Sequence, residues 1–328
     1  MQDLIIQRRQ LLRMGSAAAL FGAPLSALAA DFPSKRIRFV VPFPAAGIVD
    51  IVARALSDDM TADLGQPVVV EALPGAAAAI GTQVVAKADP DGHTWLLATI
   101  SHVATPYLQT TPYHPINDFS AVASIGSGVV VAVVPTTLRV SNMLEFVNLA
   151  KARPGALNYM HAGNGSATHL GSEIFKTTAG ISMQGVPYKG LPPGVQDLAA
   201  GRVEFGLVSL QLAQPLMKSG LLRAIAISTP TRRPDLPDVP TFEEQGFGAA
   251  VIQSWFLLCV PSATPRAAGL RINAAVNKAL LKPDVRQRLA SAFVVPEKPQ
   301  TPEQCQATLV ADHQRIGKVI RDANITPT

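Results

Sequence analysis

Residues 36–64 have the sequence RIRFVVPFPAAGIVDIVARALSDDMTADL, in which a strand, a turn and a helix follow one another. Apolar and β-branched residues dominate 36–41 and predict a buried strand, which the prolines and glycine of 42–47 terminate. From residue 48 the apolar side chains recur with helical spacing. The stripe contains Ile48, Val52, Ala55, Leu56 and Met60. A strand that runs into an amphipathic helix is typical of a βαβ unit, so this stretch predicts an α/β fold.

The same alternation of strand and helix continues along the chain. Further strands are predicted at 67–71, 94–99, 129–134, 157–160, 183–188, 203–208, 222–227 and 251–260. Further helices are predicted up to Lys87, from the Asn142 cap to Ala152, and at 168–179, 195–200, 210–218, 265–281, 283–292 and 302–323. The strand at 94–99 is expected to lead into a polar loop at Ser101 and His102. Strands that alternate with crossover helices predict parallel sheets.

Two α/β domains account for this pattern. A turn at Gly126-Ser127-Gly128 separates two groups of strands, and the proline-rich segment 229–240 is a long surface connection. The helices that follow the second group need a surface to pack on, and the first domain is the economical one. We therefore predict a discontinuous domain 1 at 31–128 plus 252–328 and a domain 2 at 129–251.

The first thirty residues have the features of an export signal. Arg8, Arg9 and Arg13 form a basic head, residues 14–30 are uncharged, and small residues follow at Ala27-Leu28-Ala29-Ala30. The uncharged run contains Gly22 and Pro24 and is shorter than the roughly 20 residues of a membrane span. The paired arginines resemble the twin-arginine signature, although an ordinary secretory head also accommodates them. We expect a periplasmic chain, without a lipid anchor because the signal has no cysteine.

Composition narrows the class of partner. The net charge is +5, and its lysines and arginines are scattered rather than clustered with aromatic residues, which argues against nucleic acid. The two cysteines, Cys259 and Cys305, match no metal or nucleophile signature, and free buried thiols are favoured over a disulfide. We expect a monomer that needs no metal and no cofactor.

Loops that contain glycine recur where a predicted strand passes into a helix. They are Pro42 to Gly47, Pro74-Gly75-Ala76 and His161 to Ser166. Such loops present backbone N–H groups and the positive end of a helix dipole, which suit a carboxylate or a phosphate. Glycine and proline also punctuate ordinary turns, but three such loops in two domains favour an anion site in a cleft between them.

Four side chains near these loops are candidate site residues, and three of them have a structural as well as a functional interpretation. Asp50 lies in a first helical turn, where a carboxylate is favourable as a cap alone, and Ser166 fits both an N-cap and a ligand donor. His169 and Glu173 have metal-compatible i, i+4 spacing, but two residues more often form a surface pair. A hydrolase that uses Ser166 and His169 lacks an orienting acid, and the chain contains none of the common catalytic motifs. Tyr188 is the last residue of the predicted strand 183–188 of the second domain.

The motifs also resemble a known family. Pro42-Phe43-Pro44 with Gly47 and Asp50, Gly65 to Glu71, Asp89-Pro90-Asp91-Gly92, Gly163-x-Gly165-Ser166-x-x-His169, Val186 to Gly190 and Asp238 to Thr241 are similar, in order, to those of Bug proteins. Bug proteins are extracytoplasmic solute receptors of tripartite tricarboxylate transporters. The resemblance implies a two-domain periplasmic-binding-protein fold, type II-like, that closes on a small carboxylate and hands it to a membrane transporter without catalysis. A solute sensor for a signalling partner would use the same cleft.

The resemblance also implies the residues of the site. They are Phe43, Ala46, Gly47 and Asp50 of the first loop, Pro74, Gly75 and Ala76 of the second, Gly163, Gly165, Ser166 and His169 of the third, and Tyr188 and Lys189 beyond it. The chain departs from the family pattern where Ala45-Ala46 replace Pro-Gly and where Ala72-Leu73 replace Asn-Arg. Because an amide and a guanidinium are lost while backbone donors remain, we hypothesise a ligand with one carboxylate and a body less polar than citrate.

Overall fold

The computed structural model describes residues 32–251, 254–322 and 325, and the predicted export signal lies outside them. The described strands are β1 (Ile37–Val41), β2 (Val68–Ala72), β3 (Thr94–Ala98), β4 (Phe119–Gly128), β5 (Val130–Pro135), β6 (Asn158–His161), β7 (Gln184–Pro187), β8 (Phe205–Ser209), β9 (Leu222–Ile227), β10 (Ser254–Pro261) and β11 (Val294–Pro296). The described helices are α1 (Ile48–Leu64), α2 (Ala79–Ala86), α3 (Ile100–Leu108), α4 (Met143–Ala152), α5 (Ala167–Ala179), α6 (Leu191–Ala199), α7 (Leu210–Lys218), α8 (Arg266–Leu281), α9 (Pro283–Ser291) and α10 (Pro302–Asp322).

The first sheet has six strands in the order β11-β4-β10-β3-β1-β2. β1 pairs in parallel with β2 and β3, while β10 pairs antiparallel with both β3 and β4. The predicted stripe of α1 packs on this sheet, since Val52, Leu56 and Met60 are fully buried. Ile48, the first residue of the stripe, is only half-buried and faces the space between the two sheets. The apolar periodicity therefore identified the core face of α1 correctly.

The second sheet has five strands in the order β7-β6-β8-β5-β9. A cluster of buried aromatic rings fills the space beside it, with Phe205 at 4.9 Å from Phe146 and 5.3 Å from Phe175 between ring centroids. α4 begins with the predicted cap, because the Asn142 side chain accepts the N–H of Glu145 at 2.9 Å. The Glu145 carboxylate reaches back to the N–H of Ser141 rather than to that of Asn142. The Asn142 side chain thus provides an acceptor for one N–H of the first helical turn, that of Glu145.

Three local predictions differ from the structure. The turn expected at Gly126-Ser127-Gly128 is the end of the ten-residue strand β4. Gly126 is needed there for close approach, because a Cβ on it would lie 2.3 Å from the carbonyl oxygen of Val295 in β11. β11 itself lies between two predicted helices, 283–292 and 302–323, where no strand is predicted. The polar loop expected at Ser101 and His102 is instead the first turn of α3.

The chain passes from one sheet to the other and returns. β4 ends at Gly128 in the first sheet, and β5 begins at Val130 in the second. After β9 the chain re-enters the first sheet at β10, which starts at Ser254. α8 and α10 then pack against β4 of the first sheet. The helical C-terminal part thus packs on the sheet that the N-terminal strands form.

Both cysteines are buried and free in the described structure. Cys259 lies in β10 and Cys305 in α10, and burial raises the pKa of both thiols, that of Cys305 to about 11. Neutral buried thiols act as small apolar groups, so these cysteines contribute to packing. Over the part of the chain that is described, no helix combines the length and the apolar character that crossing a bilayer requires.

Candidate functional site

A cleft lies between the two sheets and contains about 660 Å³ of space not filled by atoms, part of it open to solvent. Residues from both halves of the chain line it. They are Phe43, Pro44, Gly47, Ile48, Val49, Thr99, Ile100, Ser101, Ala162, Ser166, Ala167, Thr168, Gly190, Leu191, Pro192, Leu212, Ser254 and Phe256. Among these described residues none carries a charged side chain. A concave, mostly apolar site with a few polar groups is typical of small-molecule binding.

The first turns of four helices meet at this cleft. The lining includes the residues at the starts of α1, α3, α5 and α6. Gly47 caps α1 and Thr99 caps α3, and neither cap provides a side-chain hydrogen bond. The first N–H groups of these two helices therefore lie at the cleft wall without a side-chain acceptor. Because helix N-termini carry partial positive charge, the cleft attracts an anion although it lacks lysine and arginine.

α5 begins with a hydrogen-bonded cap that shapes the third predicted loop. The hydroxyl of Ser166 accepts the N–H of His169 at 3.2 Å and contacts the hydroxyl of Thr168 at 3.0 Å. The Thr168 hydroxyl in turn accepts the N–H of Ala162 at 3.1 Å. Ser166 and Thr168 both line the cleft, so two hydroxyls and the helix start lie at one place on its wall.

The first predicted loop contributes Phe43 and Gly47 to the lining, whereas Ala46 and Asp50 lie behind it. The Asp50 side chain is buried, and one carboxylate oxygen accepts the N–H of Ala46 at 3.1 Å and the Nε–H of Arg54 at 2.9 Å. Ala46 has a φ of 62°, a left-handed conformation that alanine adopts at a cost. Asp50 therefore holds the loop in the shape that places Gly47 at the helix start.

We expect Asp50→Ala to weaken ligand binding about 10-fold and to lower the free energy of unfolding by about 1–2 kcal/mol, since the loop loses the acceptor for Ala46. Calorimetric titration and urea unfolding measure the two effects. Asp58→Ala is the control, because Asp58 is an exposed residue of the same helix and lies away from the cleft. Unchanged affinity in Asp50→Ala would show that Asp50 is a helix cap only.

The second predicted loop does not reach the lining. Pro74, Gly75 and Ala76 lie beside the cleft, where Gln109 donates to the carbonyl oxygen of Ala76 at 3.1 Å and Thr105 donates to that of Ala77 at 3.1 Å. The backbone of this loop is strained. Ala76, Ala77 and Ala78 have φ values of 45°, 49° and 77°. Three successive alanines in the left-handed region are held there by the bonds from α3.

We expect Ala77→Gly to raise the free energy of unfolding by about 0.5–1 kcal/mol, because glycine adopts the left-handed conformation without the steric cost that alanine bears. Ala311→Gly is the matched control: Ala311 is exposed in the interior of α10, where glycine should cost about 1 kcal/mol. Urea unfolding of both variants gives opposite signs in this account. A loss of stability in Ala77→Gly would contradict it.

Tyr188 and Lys189 also lie outside the lining. The Tyr188 hydroxyl donates to Asp197 at 2.8 Å, and partial burial together with this bond raises the pKa of Tyr188 to about 12. Lys189 is exposed. The residues that do enter the cleft here are the next three, Gly190, Leu191 and Pro192.

Gly163, Gly165 and His169 form the support of the third loop rather than its cleft surface. The His169 ring accepts the N–H of Gly165 through Nδ1 at 3.2 Å and packs on His161 with 4.5 Å between centroids. Burial, followed by the neighbouring His161 ring, lowers the pKa of His169 to about 4. A neutral His169 is required for the bond to Gly165, since only an unprotonated Nδ1 accepts.

This geometry does not match the hydrolase alternative. Ser166 hydrogen-bonds to the backbone of His169, and the described structure contains no bond between its hydroxyl and the imidazole ring. The nearby acid on the same helix, Glu173, bonds to Tyr159 and to Lys176. The described residues likewise contain no group of three or more side chains arranged to hold a metal ion. His169 and Glu173 bond to different partners, His169 to Gly165 and Glu173 to Tyr159 and Lys176.

Several lining residues are not among the predicted site residues, and one group of them is Thr99, Ile100 and Ser101 at the start of α3. A threonine that directly follows a buried strand and precedes an apolar run is a recognisable N-cap signal. The polar residues Ser101 and His102 that follow favour a loop, so the sequence does not predict a helix start at Thr99. Leu212, Ser254 and Phe256 are lining residues that come from elements distant in sequence, and no local motif marks them.

Two α/β sheets with an uncharged cleft at converging helix starts define the class of solute-binding proteins, and comparison with known proteins identifies the family. The model of the tripartite tricarboxylate transporter family receptor matches residues 52–325. The protein BugT of Bordetella pertussis is 33% identical over 309 residues, which cover 93% of this chain and 94% of BugT. The chain therefore belongs to the family of tripartite tricarboxylate transporter receptors, and the predicted resemblance to Bug proteins is confirmed.

Solved structures confirm the predicted fold class. Rpa4515 of R. palustris, determined with adipate, is 31% identical, has a TM-score of 0.84, and covers 90% of this chain and 100% of its own. MatC of Rhodopseudomonas palustris, determined with bound malate, is 30% identical, has a TM-score of 0.82, and covers 88% of this chain and 100% of its own. The chain thus has the two-domain α/β fold of periplasmic solute-binding proteins.

Proposed function

We propose that this protein is a periplasmic receptor that captures a small carboxylate in the cleft and delivers it to the membrane components of a tripartite tricarboxylate-type transporter. The observation that carries the proposal is the convergence of helix starts on an uncharged cleft, where Gly47 and Thr99 cap α1 and α3 without a side-chain hydrogen bond and Ser166 caps α5. Such an arrangement binds an anion through backbone donors and needs no cofactor or metal. The adipate and malate bound by two relatives are carboxylates.

Capture by closure of two domains is the second part of the proposal. We assign residues 31–128 and 252–328 to one domain and 129–251 to the other, which is consistent with the two crossings between the sheets. Glycines of the second domain pack closely on the first. A Cβ on Gly165 would lie 3.2 Å from Leu108 and from Thr105, and one on Gly190 would lie 3.3 Å from Pro44. These contacts support a closed arrangement that a larger side chain would keep apart.

The residues implied by the family resemblance take different roles in this proposal. Phe43, Gly47 and Ser166 contact the ligand. Asp50, Ala46, Gly163, Gly165 and His169 position the loops that form the helix starts. Pro74, Gly75, Ala76, Tyr188 and Lys189 contribute to the surfaces beside the cleft. We add Thr99, Ser101 and Thr168 as ligand donors, because their side chains lie in the cleft wall at helix starts.

The proposed location follows from the N-terminal segment and from the family. We propose that residues 1–30 direct export and are removed. We further propose that the exported protein is a monomer and carries no lipid anchor. Sequencing the N-terminus of the protein recovered from the periplasmic fraction tests this. A first residue near Asp31 is expected, and a chain that retains Met1 in the membrane fraction would contradict the proposal.

Thermal unfolding of the exported chain with a panel of mono-, di- and tricarboxylates tests the binding function. At about 100 times its Kd a carboxylate should stabilise the folded state by about 2.7 kcal/mol and raise Tm by several degrees. Chromatography of the same mixtures should show the ligand unchanged. If no carboxylate raises Tm, or if a product accumulates, the receptor function is wrong.

A further inference from the structure

We propose that the ligand is a monocarboxylate whose remaining part is apolar, such as an aliphatic chain or an aromatic ring. This inference rests on the proposed carboxylate receptor function and specifies its substrate class. The described lining of the cleft contains no ionised side chain. Helix starts supply only partial charges, so a second carboxylate that leaves water would meet no ionised cation in the described lining to replace its hydration.

The four helix starts that line the cleft differ in the hydrogen-bond donors that they offer. α1, α3 and α5 begin with residues that have backbone N–H groups, and the hydroxyls of Thr99, Ser101 and Thr168 lie beside them. α6 begins differently, with Leu191-Pro192-Pro193. Proline has no N–H, so two of the first three donors of this helix are missing. The start of α6 presents apolar side chains to the cleft in place of donors.

Large apolar side chains form much of the remaining cleft wall. Phe43, Ile48, Leu191, Leu212 and Phe256 all line the cleft, and they come from both halves of the chain. Apolar surfaces of this kind gain free energy when they cover an apolar part of a ligand, and they offer no hydrogen bond to a second charged group. The buried Asp50 carboxylate behind the first loop is already paired with Arg54 at 2.9 Å.

Matched pairs of ligands test the inference on the wild-type protein. Hexanoate and adipate share a six-carbon chain and differ in one terminal group, and benzoate and terephthalate differ in the same way on a ring. Calorimetric titration should give a Kd at least 10-fold lower for the monocarboxylate of at least one pair. If each dicarboxylate binds as tightly as its monocarboxylate partner or more tightly, the function stands and this inference fails. If no member of the series or of the wider panel binds, the receptor function itself fails.

A pair of variants assigns the effect to the apolar wall. Leu212→Ser should weaken binding of the preferred monocarboxylate about 10-fold, because Leu212 lies in the lining. Leu216→Ser is the control, since Leu216 is on the same helix one turn further on, is likewise half-buried, and does not line the cleft. Equal affinities of the two variants would overturn the assignment of α7 to the ligand surface. Circular dichroism confirms that each variant is folded before titration.

Discussion

Replacing Ser101 with aspartate should weaken carboxylate binding roughly 100-fold. Ser101 lies in the first turn of α3, is 2% exposed, and lines the cleft. An aspartate there is stabilised by the helix dipole and stays ionised, so its charge occupies the position that the ligand carboxylate needs. At a separation of about 5 Å and an effective dielectric constant of about 20, two such charges repel by about 3 kcal/mol. This repulsion is close to a 100-fold change in Kd.

Ser101→Asn is the matched control, because asparagine has nearly the same volume as aspartate and no charge. We expect it to weaken binding less than 10-fold, through crowding alone. Calorimetric titration of both variants with the same ligand measures the difference. The thermal stability of the unliganded Ser101→Asp protein should equal or exceed that of Ser101→Asn. Equal affinities of the two variants would show that the anion does not bind at the start of α3.

The second large effect is a loss of folding stability at acid pH. Folding should lose about 3 kcal/mol of stability between pH 6.5 and pH 4 through His102 alone. The imidazole is fully enclosed, donates through Nε2 to the carbonyl oxygen of Pro115 at 2.8 Å, and packs between Tyr113 and Phe119. Burial lowers the pKa of His102 to about 4 from an ordinary 6.5, and the carbonyl of Pro115 offsets only part of this.

The direction follows from where the proton binds. Between pH 6.5 and pH 4 the unfolded chain binds a proton at His102 and the folded chain does not, so stability falls as the pH falls, by about 1.4 kcal/mol per pH unit. Above pH 6.5 both states are neutral and the contribution is constant. His169, with its pKa lowered to about 4, acts in the same direction.

Urea unfolding of wild type and His102→Gln across this pH range isolates the effect. Glutamine is neutral and can still donate to Pro115, and the carboxylates of the two proteins are identical. The loss of stability on acidification should therefore be about 3 kcal/mol smaller in the variant. If both proteins lose stability in parallel, His102 is protonated in the folded state and the account of its burial is wrong.

Much of the fold could be predicted from sequence because its signals are local. The apolar stripe of α1 and the cap of α4 each depend on residues within one or two turns of helix, and the structure contains both. β4 and β11 could not be predicted in this way. β4 alternates small residues and contains glycines, and its strand conformation depends on pairing with β10 and β11, which come more than 120 residues later. Only the tertiary structure distinguishes Gly126 in a strand from Gly126 in a turn.

The candidate site was predictable to a similar extent. Strand ends rich in glycine led to Phe43, Gly47 and Ser166, because anion binding at helix starts follows from local chain chemistry. Sequence could not show that the loop at Gly75 bonds to Thr105 and Gln109, nor that the start of α6 lines the cleft. Which helix starts meet depends on how the two sheets face each other. That arrangement is a property of the whole chain.

Amide hydrogen exchange with and without a bound carboxylate tests the central claim most directly, because the ligand is proposed to bind to backbone N–H groups. We predict that binding slows exchange at the starts of α1, α3 and α5, at residues near Ile48, Ser101 and Thr168, more than anywhere else in the described chain. Protection centred on exposed basic side chains such as Lys189, with no change at the three helix starts, would contradict the claim.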